Sequence, residues 1–269
     1  MHVMNAIDST IAELGRDVLG WFAGWWRIIR LSALLLVLAL SPSSYRRANR
    51  LVIAHHIYRD AARNLFWYTV LTTLIGVVLI RIVVVTALSY GLSRYALEMV
   101  VRVLVLELIP LTAALFVAVR CTLPDGAQVA ALRARGAFAA PGPWGFGVDA
   151  LLREALPRAL AGIFSVLLLA AVNGALTLVL AYLSTYGVSR WGLASYTRTV
   201  GQVFDPAVAT IFVCKLAFFS LAVSLIPVAS ALCDRPQAGA RTTAELRGLV
   251  RMFVVILLIE AASLAGNYA

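Results

Sequence analysis

The sequence predicts an all-α integral membrane protein with five transmembrane helices and an N-terminal amphipathic helix lying at the membrane interface. Three observations carry that prediction. Of 269 residues, 62% are hydrophobic and only 13% charged, whereas a soluble domain carries roughly 25% charged residues; most of this surface therefore faces lipid. Five apolar runs, 65–90, 97–119, 157–186, 206–232 and 247–267, reach the length of about 20 residues that crosses a bilayer. Arginines concentrate in alternate connections, which places the N-terminus inside and the C-terminus outside.

Residues 1–50 come first. Ile7, Ile11, Leu14, Val18 and Phe22 recur at three- and four-residue spacing, and Trp21, Trp25 and Trp26 follow. An apolar helical face edged with tryptophan lies in the headgroup plane. The next apolar stretch, Ile28 to Leu40, falls short of a full span and reads as interfacial or re-entrant. The whole segment is an elbow preceding a membrane domain over 51–269. No signal-peptide pattern opens the chain.

The first span follows a segment rich in arginine, including Arg46, Arg47, Arg50, Arg59 and Arg63. The connection after it offers only Arg94. After the second span comes the largest inside loop, 120–156, with Arg120, Arg133, Arg135 and Arg153. Its first part predicts a short amphipathic helix beginning after Pro124-Asp125, with Asp125 as its cap. "APGPWGFG" then breaks the helix. Such a loop helix either meets a soluble partner or lies on the bilayer. Arg190 and Arg198 are sparse in the next connection, whereas Arg235, Arg241, Arg247 and Arg251 flank the last span on the inside.

The net charge of +10 resides almost wholly in these connections. It therefore reads as orientation and headgroup attraction, not nucleic-acid binding. Cys121, Cys214 and Cys233 are far apart in or near apolar runs and form neither a disulfide framework nor a metal spacing. His55 and His56 are adjacent and point to different helix faces, so no metal site is expected. No phosphate-binding loop for ATP and no hydrolase or metalloprotease motif occurs. The chain reads as a non-enzyme.

Charges inside the spans are the candidate functional residues, because an ionised group at mid-bilayer costs at least about 2.5 kcal/mol and generally faces a partner or water. Arg81, Glu98, Arg102, Glu107, Lys215 and Glu260 are of this kind. Glu98 and Arg102, four apart, can pair on one helix face. Arg81 and Glu107 sit at similar depths in adjacent antiparallel helices and are expected to pair or to line a shared polar cavity. Such a pair either locks two helices or binds a polar headgroup. Pro110, one turn beyond Glu107, removes a backbone donor within the second span, a defect that neighbouring groups can satisfy.

"LELIP" (Leu106 to Pro110), "AVR" (Ala118 to Arg120), "VDALLREALPRALAG" (Val148 to Gly162), "KLAFF" from Lys215 and "ARTTAELR" from Ala240 occur in this order. Together they resemble motifs of the MlaE/YrbE permeases, membrane subunits of bacterial ABC transporters that work with MCE proteins in lipid trafficking. The resemblance runs from about Arg50 to the C-terminus. It implies a permease of the bacterial inner membrane with no cofactor of its own, ATP and magnesium residing on a cytoplasmic ATPase. It further implies a second permease copy, either identical or a paralogue, a periplasmic MCE protein, and room for a small accessory subunit on the ATPase. The loop helix becomes a coupling helix, with Asp125, Gln128, Leu132 and Arg133 at its ATPase-docking positions. Arg81, Glu98, Arg102 and Glu107 become the polar part of a lipid pathway for phospholipid or a similar hydrophobic substrate. The chain departs from the family where an arginine is replaced by Leu106, a glycine by Ile109 and a glutamate by Gln128. Two other functions remain open: an ion-coupled secondary transporter, with Glu107 as the proton site, and a non-transporting membrane scaffold.

Overall fold

The computed structural model describes residues 2–42, 47–138, 147–233 and 241–268. Side chains of 2–20, 47–49, 93–94, 241–245 and 268 also lie outside the description, and with them Ile7, Ile11, Leu14 and Val18 of the elbow. Most of the "APGPWGFG" break lies outside the described residues as well.

Long apolar runs without internal breakers become long helices, because each backbone bond is then satisfied within the segment. The helices are α1 (His2–Leu40), α2 (Arg47–Ser89), α3 (Ser93–Val100), α4 (Ile109–Val117), α5 (Leu123–Ala134), α6 (Val148–Ala150), α7 (Leu156–Tyr186), α8 (Leu193–Val203), α9 (Pro206–Cys233) and α10 (Arg241–Tyr268). Three π-helical stretches, Val101–Leu108, Ala118–Thr122 and Leu151–Ala155, join α3 to α4, α4 to α5 and α6 to α7. Six helices are long and apolar enough to cross a membrane among the described residues, the sixth being Trp21–Leu40.

Several helices outrun the bilayer. The 43 residues of α2 extend about 64 Å, against a hydrocarbon core of about 30 Å. The excess is its arginine-bearing N-terminal part. At the opposite end of the bundle, Gly91 and Gly187 adopt positive φ (71° and 65°), letting the chain turn directly out of α2 and α7.

The buried apolar residues fall into three layers along the bundle axis. At the arginine-rich end, Ile28, Leu31 and Leu35 of α1 pack with Val129 of α5, Leu151, Ala155, and Val228 and Leu232 of α9. The middle layer joins Tyr68, Ala113, Val117, Val166, Leu169, Phe219, Val223, Met252 and Ile256. The far layer joins Ile80, Val84, Leu97, Val101, Leu104, Ala181 and Val203. The buried residues of α1 thus belong to the arginine-rich layer, while Trp21, Phe22 and Trp26 face outward. α2 lies along α7, and α10 lies chiefly along α9. α9 and α10 run antiparallel, with Gly248 opposite Ser230 at one end and Gly266 opposite Ile211 at the other.

The second span differs from its expected form at its inner end. It does not stop at a loop followed by a newly capped helix. The π turn at Ala118–Thr122 carries the helix on into α5, and Thr122, the residue before α5, is itself helical. Pro124 is accommodated because a first helical turn needs no donor there. Asp125 is consequently a buried first-turn residue and not a cap.

Small residues set the closest approaches. A Cβ on Gly162 of α7 would stand 2.6 Å from Ser224 Oγ and 2.9 Å from Thr122 Cγ2, so the backbone of α7 rests directly on side chains of α9 and of the π-helical stretch before α5. Gly162→Ala must push these elements apart. We expect it to destabilise the protein by about 1–3 kcal/mol, read as a lower thermal midpoint in detergent, with Gly76→Ala, which meets nothing within 4 Å, as the unaffected control.

Candidate functional site: a buried lysine between two carboxylates

Pro110 has no N–H to give to the carbonyl of Leu106, four residues back, and the surrounding π register spaces the backbone bonds differently: the N–H of Ile109 bonds to Leu104 O. Lys215 of α9 supplies a donor to that carbonyl, its Nζ lying 3.3 Å from Leu106 O. The same ammonium hydrogen-bonds Glu107 Oε2 and forms an ion pair with Glu260 Oε2 of α10 at 2.9 Å. The ring of Phe219, one turn along α9, lies 5.8 Å from Nζ, a cation–π distance. Asn267 Nδ2 of α10 donates to the other oxygen of Glu107 at 3.3 Å.

The Lys215 side chain is 1% exposed, and those of Glu107 and Glu260 are 15% exposed. The ammonium is thus sealed, and the two acidic side chains are largely buried around it. Three separate segments of chain converge here, and each supplies a charge that the hydrocarbon would otherwise exclude.

Glu107 therefore does not pair with Arg81. Ile80 and Val84 are the residues of α2 that turn inward, and Arg81, rotated about 100° from Ile80, is exposed among Val78, Ile82 and Val85. Arg81 thus lies on the exposed side of α2 while Glu107 is engaged by Lys215. Glu98 and Arg102 do come together, with Nε to Oε1 at 3.1 Å, but both are about one-third exposed. That pair lies one turn and more away from Glu107 along the same helix. The cluster's other members could have been found by the depth comparison applied to the last two spans: Lys215 and Glu260 lie at matching distances on either side of the 234–240 connection.

A second polar cluster sits at the arginine-rich end, where α5 meets α2 and α9. A Cβ on Gly126 would lie 3.3 Å from the carbonyl of Pro227, inside α9, so α5 rests directly on α9. Asp125 is 5% exposed, with Arg59 Nη2 of α2 4.0 Å from its carboxylate. Arg59 Nε also donates to Asp60 Oδ1 at 3.1 Å, and its Nη2 lies 3.2 Å from His56 Nδ1. Arginine has no acceptor, so Nδ1 is the unprotonated nitrogen. Burial, then the nearby Arg59 and Arg158 charges, hold the His56 pKa below its usual value. Asn64 Nδ2 donates to Asp60 O at 2.7 Å and to Cys121 Sγ at 3.0 Å. Cys121 is buried, as its apolar setting predicts, whereas Cys214 is exposed on the outside of α9.

Of the docking positions on α5, Gln128 alone is fully exposed; Asp125 is buried, and Leu132 and Arg133 are half-buried. Leu132 packs into the arginine-rich layer, and Arg133 Nη1 lies 3.4 Å from Ala231 O of α9. Pro124, Gln128, Ala131 and Ala134 are exposed, as is Arg135 just beyond the helix. Helix α5 thus has an anchoring face and a free face.

Lys215→Met leaves two carboxylates facing each other without their cation. Breaking a buried pair in this way costs about 3–5 kcal/mol, so the thermal midpoint should fall steeply, and adding Glu107→Gln in the same protein should restore part of the loss. At the other cluster, burial and then the Asp60 charge push Asp125 up to about 6, with Arg158 and Arg59 opposing. The folded protein then holds a proton that the unfolded chain releases at lower pH, so stability falls as pH rises from the ordinary carboxylate range through about 6. Asp125→Asn should melt above the unmutated protein at neutral pH, and the difference should shrink as pH falls through that value.

A family model described as Permease MlaE matches residues 53–265. No curated protein matches the chain. The matched segment contains α2's membrane part, both polar clusters except for Asn267, and the whole of α5. With most of its length matched, the chain belongs to the MlaE permease family.

Proposed function

We propose that this chain is the transmembrane subunit of an ABC transporter that moves phospholipid or a similar hydrophobic substrate between the bacterial inner membrane and a periplasmic MCE protein. ATP hydrolysis on a cytoplasmic partner drives the movement. Two permease copies, identical or paralogous, flank the lipid pathway, and an accessory subunit can sit on the ATPase. The arginine-rich end faces the cytoplasm, where α1 lies as an interfacial elbow.

The observation that carries this reading is the two-faced helix α5. Its inner face is fixed to α9 and α2 through Gly126, Asp125 and Val129, while Pro124, Gln128, Ala131 and Arg135 face out at the arginine-rich end. A push on the free face is delivered to α9, which carries Lys215. The polar cluster around that lysine supplies the charged part of the pathway. Glu98 and Arg102 lie nearer its periplasmic mouth, and Arg81 faces lipid or the second copy. None of these groups performs covalent chemistry.

The test is co-expression with an ABC ATPase and an MCE protein of the same genome, followed by extraction in mild detergent. The ATPase should co-purify, and liposomes holding the complex should transfer fluorescent phospholipid in an ATP-dependent manner. Gln128→Arg should lower ATPase recovery at least tenfold without moving the thermal midpoint of the chain. Purification of a folded chain with no ATPase under these conditions defeats the reading.

A further inference from the structure

Two carboxylates and one ammonium leave the Lys215 cluster with one uncompensated negative charge. Among the described residues, the charged groups paired here belong to the three elements already named: Glu107 on the π-helical segment, Lys215 on α9 and Glu260 on α10. The neighbouring faces add no further cation among those residues. α7 presents the neutral Asn173 and Thr177 to the interior, Arg102 is engaged by Glu98, and Arg198 of α8 is exposed.

Hydrogen-bond supply is short as well. Glu260 Oε2 faces the ammonium but receives no hydrogen bond, and Asn267 Oδ1 and Ser263 Oγ are likewise buried without a partner. Ser263 is 7% exposed and lies three residues beyond Glu260 and four before Asn267, so the three share one stripe of α10. The site thus has unfilled acceptors at Glu260 Oε2 and Asn267 Oδ1, with the Ser263 hydroxyl able to donate to only one of them, and more negative than positive charge. Burying an unpaired charge is far more expensive than neutralising it. A group that donates a hydrogen bond and carries one positive charge corrects both deficits.

We propose that Glu107 and Glu260 share one exchangeable proton, making the Lys215 cluster a proton-binding site inside the membrane. Hydronium gives one proton to a carboxylate oxygen, forming a neutral carboxylic acid and water. The new O–H donates to an acceptor of the cluster, and the site becomes neutral. A proton suits the place because the Lys215 side chain is 1% exposed and the two acidic side chains only 15%, which leaves little room for a larger cation. Movement of α9 relative to the π-helical segment or to α10 separates the ammonium from one carboxylate and changes how firmly the proton is held. This consequence for transport rests on the permease reading, whereas the proton site itself does not.

Infrared difference spectroscopy of the full chain in lipid nanodiscs tests the proposal. At neutral pH the unmutated protein minus Glu260→Gln should show one protonated-carboxyl stretch per chain, shifted in deuterium oxide and lost as pH is raised. Glu260→Gln keeps the Lys215–Glu107 pair and removes the excess charge, so it should fold; carrying both proteins on an Asp125→Asn background removes the other buried carboxyl that titrates at about 6. Glu107→Gln should abolish the band equally. A flat difference spectrum, with no titrating carboxyl, overturns the proposal. So does loss of the band when sodium chloride replaces choline chloride at constant pH, which would assign the site to a metal cation. In the complete transporter, ATP-driven lipid transfer should depend on pH and lose that dependence in Glu260→Gln. A carboxyl band without ATP-driven transfer defeats the permease reading alone; transfer without the band defeats the proton site alone.

Discussion

One ammonium group holds the membrane interior of this protein together. Lys215 reaches a backbone carbonyl and two carboxylates that belong to three different segments. Without it, Glu107 and Glu260 face each other in hydrocarbon with no cation between them. Without them, a lysine stands buried in apolar surroundings. Neither half is stable alone, so the position of α10 against α9 and of α9 against the π-helical segment is fixed by charge as much as by packing. That matters most for α10, which packs chiefly on α9 and shows much of its apolar surface outward.

The two polar clusters are joined by a single helix. Lys215 and Pro227 stand twelve residues apart on α9, about 18 Å along its axis. Between them the helix shares a layer with Ala113, Ala114 and Ala118 of one neighbour and meets Gly162 of another, alongside larger residues such as Leu169 and Met252. The small residues let backbones approach closely. Under the proposed function, the contact of Gly126 with Pro227 is where motion enters α9, and Lys215 is where it is felt.

What the sequence reveals follows from which physical constraint each feature obeys. The spans are legible because length and hydropathy must match the bilayer whatever the neighbours do. The pair Glu98–Arg102 is legible because it obeys one helix's own geometry. Arg81 misleads because depth can be counted along a helix, while facing depends on which side of α2 meets α7. A single residue's rotation separates the buried Ile80 from the exposed Arg81. Asp125 misleads differently: proline followed by aspartate normally signals a helix beginning, but a π turn keeps the chain helical before it. Nothing in local composition announces such a turn. Lys215 and Glu260 were within reach, because the same counting of depth that joined the wrong pair places these two side by side.

Pro110 and Lys215 are linked through one oxygen atom. A residue with an N–H at position 110 could offer the Leu106 carbonyl a partner within its own helix and weaken its hold on the lysine. A residue without a long cationic side chain at 215 would leave that carbonyl, and the acid next to it, without a donor from α9. The proline is therefore not a defect that the bundle tolerates. It presents a backbone acceptor beside the Glu107 carboxylate, and so gives the ammonium a backbone oxygen and a side-chain oxygen from one turn of helix. An acid and a helix-breaker in the middle of an apolar run make sense together only when the cation from α9 is counted with them.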